Sequence, residues 1–124
     1  GMNLAFPDSY FDVVLIWSQT FGLFDTLESK KRILSECKRV LNDGGVLSLS
    51  THDREYLETN HPAYMQQGVF HPFGENGPFY KTYTIGALID CVEQSGFRNI
   101  ECKKGLVYTE ADGTIVTCVS KNVI

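Results

Sequence analysis

The sequence contains no apolar run approaching the roughly 20 residues that a membrane-crossing helix needs. Nor does it show a charged-then-apolar leader ahead of a small-residue cleavage site. No membrane partner is expected, and the simplest location is cytoplasmic. It has no basic run longer than Lys30-Lys31-Arg32, and its 11 basic residues are outweighed by 15 acidic ones, for a net charge of −4. A nucleic-acid backbone is thereby excluded as the main partner. The cysteines Cys37, Cys91, Cys102 and Cys118 show no Cys-x-x-Cys spacing. Three of them sit in patterned apolar segments, where cysteine packs as a small hydrophobe, so reduced thiols are expected. His61 and His71 lack ligand spacing to a cysteine or carboxylate, and no metal site is expected. Internal repeats and low-complexity tracts are absent as well.

What remains is the composition of an ordinary packed globule: 124 residues, 43% apolar and 21% charged, with 11 glycines. That length allows one domain at most. Gly1 ahead of Met2 reads as the remnant of a cleaved expression tag, so the natural chain is expected to begin at Met2. Phe11-Asp12-Val13-Val14-Leu15-Ile16-Trp17, preceded by the turn-like Pro7-Asp8-Ser9, is a short and nearly continuous apolar run. It predicts a strand covered on both faces. Asp25-Thr26-Leu27-Glu28 predicts a helix start, with Asp25 as the cap and Glu28 reaching back. Ile33, Leu34, Cys37, Val40 and Leu41 then share one helical face. Asn42-Asp43-Gly44-Gly45 should end that helix, and Val46–Ser50 should form a second strand. Strand, helix and strand with tight connections predict a right-handed parallel βαβ unit.

From Thr51 to Tyr83 the pattern weakens into a stretch holding all three histidines, three of the four prolines and four of the six tyrosines. So long a segment without clear regular structure predicts a lid or substrate loop. Within it, a short helix over Arg54 to Gln67, interrupted near Pro62, is weakly signalled. Thr84 caps a further helix with Ile85, Leu88, Ile89 and Val92 on one face, Ser95-Gly96 ends it, and Phe97 should fold back onto the core. Strands near Arg98–Tyr108 and Thr114–Ser120 flank Asp112-Gly113, a strong hairpin signal.

This order resembles the C-terminal half of a class I S-adenosylmethionine-dependent methyltransferase. Leu4-Ala5-Phe6-Pro7-Asp8-Ser9-Tyr10-Phe11-Asp12 is similar to the family's Leu-Pro-Phe-x-Asp-x-x-Phe-Asp signature, with Ala5 in place of the proline. Arg39-Val40-Leu41-Asn42-Asp43-Gly44-Gly45 is similar to Arg-Val-Leu-Lys-Pro-Gly-Gly before the family's fifth strand. Thr20-Phe21-Gly22-Leu23-Phe24-Asp25 resembles a subgroup's Ser-Phe-Gly-Tyr-Phe-Asp loop. The resemblance implies an α/β fold with a partial Rossmann-like sheet of strands 4-5-7-6, a C-terminal antiparallel hairpin and two to three helices. The family's glycine-rich turn after its first strand, and the acidic residue ending its second, have no counterpart in these residues. The expected reading is a single partial domain over residues 1–124, with 51–83 as its lid.

By the same resemblance, Trp17, Ser18 and Gln19 border the methionine part of the cofactor, and Asn3 and Leu4 border the adenine. Phe21, Tyr56 and Tyr83 are the candidate substrate contacts. No catalytic residue is identified outright; His52, whose ordinary pKa lies near working pH, is the candidate general base. Asp12 and the Lys30-Lys31-Arg32 run read as structural or solvated. Two functions are expected in order: the rear part of a small-molecule methyltransferase, binding no S-adenosylmethionine and inactive alone, or a non-enzymatic interaction module derived from that fold. An independent ligand-binding domain using the crevice beside Trp17 ranks third. Deleting the front of the family sheet turns Phe11–Trp17 into an open apolar edge, which predicts a homodimer burying Val13–Ile16.

Overall fold

Strand β1, Phe11–Ile16, runs parallel to the long strand β2, Leu41–Asp53, from Val13 opposite Val46 to Ile16 opposite Leu49. The computed structural model describes residues 4–17, 20–24, 26–104 and 114–122. Alternation splits β1 between two environments. Val14 and Ile16 pack on the core, whereas Val13 and Leu15 are each 53% exposed. The expected strand is therefore present, but only one of its faces is covered.

Between these strands lies helix α1, Leu27–Val40, which buries Ile33, Leu34, Cys37 and Val40 along one face. Its cap differs from the sequence expectation by one residue. The Thr26 hydroxyl accepts from the Ser29 N–H at 3.0 Å, and the Ser29 hydroxyl accepts from the Thr26 N–H at 3.3 Å. This reciprocal box forms on Thr26 because serine at the third helical position can close it there. Asp25, the residue expected to cap, lies outside the described residues.

The other end of α1 also departs from expectation: the helix stops at Val40, before the two glycines. The incoming chain supplies the reason. The Ser9 and Tyr10 N–H groups donate to the carbonyls of Arg39 and Val40 at 2.9 and 2.7 Å, satisfying acceptors that a glycine cap usually serves. Leu41 is already extended, and Gly44, with a φ of 74° that suits glycine, turns the chain within β2.

Residues 51–83, the segment expected as a lid or substrate loop, hold more regular structure than their sequence suggests. Helix α2, Arg54–Asn60, is capped by Asp53 and followed by a 3-10 turn at Pro62–Tyr64. The break falls at His61, the residue whose helical conformation a following proline disfavours. Strands β3, Met65–Gln66, and β4, Val69–Phe70, make a small hairpin around Gln67 and Gly68, both at positive φ. Strand β5, Tyr80–Tyr83, pairs antiparallel with β4 and parallel with the end of β2 at His52 and Asp53.

Helix α3, Ile85–Gln94, is capped by Thr84 as expected and buries Leu88 and Val92. Phe97 does fold back, fully buried, at the start of strand β6, Phe97–Lys104. β6 pairs antiparallel with β7, Thr114–Asn122, which in turn pairs antiparallel with β2. The order β1-β2-β7-β6 is that expected from the sequence. The hairpin signal at Asp112-Gly113 lies outside the described residues. Phe21, Leu34, Leu47, Leu49, Leu88, Val92 and Phe97 form one continuous core between the helices and the sheet. At about 1.5–3 kcal/mol for each fully buried large apolar side chain, this cluster is the main driving force for folding.

The chain entering β1 is fixed to α1 by ion pairs and hydrogen bonds. Arg39 donates from Nε to Glu36 Oε2 at 2.8 Å, from Nη1 to Asp8 Oδ1 at 2.7 Å, and from Nη2 to the Leu4 carbonyl at 3.0 Å. The Leu4 N–H donates to Glu36 Oε1 at 3.0 Å. The Arg39 guanidinium, and after it the Leu4 N–H, hold the Glu36 carboxyl below its ordinary value of 4.5. A carboxylate depressed in the folded state contributes stability above its unfolded pKa and loses it as pH falls through the folded one. Chemical denaturation across pH 3 to 6 should therefore show the parent protein weakening on acidification more steeply than Glu36→Gln, with its stability advantage over the variant present above about pH 4.5 and shrinking below it.

Candidate functional site

The carboxyl end of a parallel strand borders the ligand crevice of an open α/β sheet, and here that is the end of β1. Trp17 follows the strand with its ring 54% exposed, while its Nε1–H donates to the Ser48 hydroxyl at 3.1 Å. The chain then turns through a 3-10 segment, Thr20–Leu23, pinned by the Thr20 hydroxyl donating to the Trp17 carbonyl at 2.9 Å. Gly22 lies so close to β5 that an added Cβ would stand 2.7 Å from the Lys81 carbonyl oxygen. Only glycine permits that approach. Phe21 is fully buried against Tyr83, with ring centres 5.7 Å apart, and belongs to the core cluster.

At the end of β2, the half-buried His52 is flanked by Phe70 at 4.8 Å and Tyr80 at 5.1 Å between ring centres. The next residue, Asp53, is buried and does two jobs. It accepts from the Glu55 N–H at 3.2 Å, starting α2, and pairs with Lys104 Nζ at 3.2 Å. Lys104 also meets Glu55 at 3.3 Å. Its ammonium is held above the ordinary lysine range by Asp53 first and Glu55 second.

Arg54 connects the two ends of the lid. Its Nε donates to the Thr82 hydroxyl at 3.1 Å and its Nη2 to the Thr82 carbonyl at 2.8 Å. The Thr82 hydroxyl in turn donates to the Gly68 carbonyl at 2.5 Å, within the β3–β4 turn. A buried hydroxyl at Thr82 is thereby satisfied in both directions.

The structure brings Trp17, the 3-10 turn, β5 and His52 into one continuous neighbourhood around the carboxyl ends of β1 and β2. Leu4 is placed elsewhere: it lies against Glu36 and Arg39, at the opposite end of β1 from Trp17. Tyr56 turns its ring toward His61, 6.3 Å away between centres. Asn3, Ser18 and Gln19 lie outside the described residues. Sequence reasoning passed over Asp53, Arg54, Thr82 and Ser48. Asp53 carried a readable signal, an N-cap residue just ahead of a helix; the other three are united only by the fold.

The thiols of Cys37 and Cys91 are not poised as nucleophiles. Burial pushes Cys37 up to about 11 and raises Cys91 as well, and a thiol reacts as its thiolate. Burial likewise raises the Tyr83 phenol, with Cys91 adding to the effect and Arg54 opposing it. No cluster of potential metal ligands occurs among the described residues. The neighbourhood is thus an aromatic-walled surface with one imidazole, suited to holding a ligand. Arg54→Gln should release the lid ends: amide exchange in 68–70 and 80–82 should accelerate at least about tenfold, equivalent to about 1.4 kcal/mol of local stability, with Leu47 and Leu49 unchanged.

A family model described as a methyltransferase domain matches residues 1–49. No curated protein matches the sequence. Among solved structures, the chain is similar to an S-adenosylmethionine-dependent methyltransferase from Methanosarcina mazei, at 19% identity and a TM-score of 0.72 over 99% of this chain and 64% of that one. It is also similar to one from Thermotoga maritima, a possible histamine N-methyltransferase, at 22% identity and a TM-score of 0.66 over 98% of this chain and 60% of that one. A third is the Burkholderia thailandensis 1,6-didemethyltoxoflavin-N1-methyltransferase with 1,6-didemethyltoxoflavin and S-adenosylhomocysteine bound, at 10% identity and 0.71 over 99% of this chain and 48% of that one. The chain therefore spans less than two thirds of each of these structures. The likenesses at these identities are likenesses of fold. Together with the family model, they bear out the class I methyltransferase resemblance read from Leu4–Asp12 and Arg39–Gly45.

Proposed function

With the class I S-adenosylmethionine-dependent methyltransferase fold as premise, we propose that these residues form a single partial domain, the C-terminal part of a small-molecule methyltransferase. Residues outside this sequence complete its cofactor site, and the chain is silent alone. The observation that carries this reading is the one-sided crevice. The carboxyl ends of β1 and β2 offer Trp17, the Thr20–Leu23 turn and the lid, yet among the described residues no glycine-rich turn leads from a strand into a helix. The clustered glycines Gly44 and Gly45 lie inside β2. The residues present thus do not themselves fit a complete S-adenosylmethionine site. When bound, the cofactor supplies an already activated methyl group, so the protein mainly positions the acceptor.

What these residues contribute is a wall: Trp17 toward the methionine end of the cofactor, and the aromatics of 51–83 toward the acceptor. His52, between Phe70 and Tyr80, is the candidate general base at the end of β2. Neighbours named for histamine and for 1,6-didemethyltoxoflavin support a small-molecule acceptor. Free Cys37, Cys91 and Cys102, with no described helix long and apolar enough to cross a membrane, support a cytoplasmic location. Calorimetric titration of the chain with S-adenosylmethionine should give no saturable heat up to about 1 mM, the weak end of measurable affinity. Micromolar binding would overturn the reading.

A second reading is favoured by a specific observation at β1. On its outer side this strand has no partner among the described residues, and Val13, Leu15 and Trp17 stand more than half exposed along one face. An open apolar edge of this kind recruits another strand. A homodimer joined across Phe11–Trp17 would make the chain a dimerisation module without catalysis of its own. Light scattering at micromolar concentration should report a dimer, and Leu15→Lys should shift it to monomer with the fold retained by circular dichroism; a monomeric parent protein would end this reading.

A further inference from the structure

We propose that the cleft between α1, β5 and α3 is a binding site for the phosphate group of a small phosphorylated molecule. In a chain of net charge −4, four cations converge on one cavity of about 340 Å³: Lys30 and Lys31 from α1, Arg54 from the start of α2, and Lys81 from β5. Asp90 is the single acidic residue lining it. Lys31 and Lys81 have no carboxylate partner among the described residues.

In sequence, Lys30-Lys31 reads as part of a solvated run. The fold changes that by setting Arg54 and Lys81 opposite it, from positions far along the chain. Lys31 and Lys81 add positive charge to the concavity beyond what Asp90 offsets, which favours an anion there, and low-dielectric walls strengthen the attraction. Two features show preorganisation. The Nε and Nη2 bonds to Thr82 fix the plane of the Arg54 guanidinium, the group best matched to a phosphate. Lys30 Nζ sits 5.2 Å over the ring of buried Tyr83, which holds the ammonium at the cavity wall. The volume lies at the lower end of the range for small-ligand sites, which leaves room for an organic part beside the phosphate. Trp17 and His52 do not line this cavity, and the proposal stands whether or not the chain takes part in methyl transfer.

The test is a ¹⁵N–¹H NMR titration of the full chain at constant ionic strength, with inorganic pyrophosphate in one arm and AMP in the other. Saturable shifts confined to the amides around 30–31, 54, 81–83 and 87–91 are expected in both arms. The exposed Lys31 and the half-buried Lys81, neither held by a carboxylate among the described residues, can be changed without unfolding the protein, and Lys31→Gln/Lys81→Gln should weaken binding at least about tenfold. Saturation with pyrophosphate alone would overturn the organic ligand. Shifts spread over all basic residues, no saturation by about 10 mM, or a double variant that binds like the parent would overturn the site itself.

Discussion

The central constraint is the way β2 changes neighbours along its length. On one side it is paired from Val46 to His52 by β7; on the other it holds β1 as far as Leu49 and then β5 from His52. Such a strand must be apolar toward the helices, and Leu47 and Leu49 are fully buried there. It must also let two chain segments diverge where one partner yields to the other. The crevice, the imidazole of His52 and the lid all originate at that change of partner. A sheet that kept β1 beside β2 to its end would have no opening there.

Much of this was legible in the sequence because it rests on local periodicity. The run at Phe11–Trp17, the stripe of Ile33, Leu34, Cys37 and Val40, the Thr84 cap and the return of Phe97 are each statements about neighbours within a few residues. The errors arose where distant groups did the work of local signals. The end of α1 is closed by Ser9 and Tyr10, not by the glycines that follow it. The lid reads as irregular because its strands, β3 and β4, are only two residues long and draw stability from β5. Its hairpin turns on Gln67-Gly68, a pair far less distinctive than Asn-Gly or Asp-Gly.

The site was legible in outline and not in detail. Strand ends point to Trp17 and His52 by a general rule of open α/β sheets. Nothing in the local sequence separates Phe21, a core residue, from Trp17, an exposed one, although both are aromatics near the same strand end. Their fates diverge because Gly22 draws the turn onto β5, carrying Phe21 inward against Tyr83. Likewise Arg54 and Thr82 acquire their partnership only when the lid returns to the sheet.

That partnership bears on how the molecule can vary. Arg54 and Thr82 stand 28 positions apart in the chain, yet two hydrogen bonds hold them together at the base of the lid. Closing a loop whose ends are already fixed costs entropy that grows only with the logarithm of its length. Changes of length in the turns between these anchors, outside β3, β4 and β5, therefore disturb the pairing of β2 with β1 and β7 little.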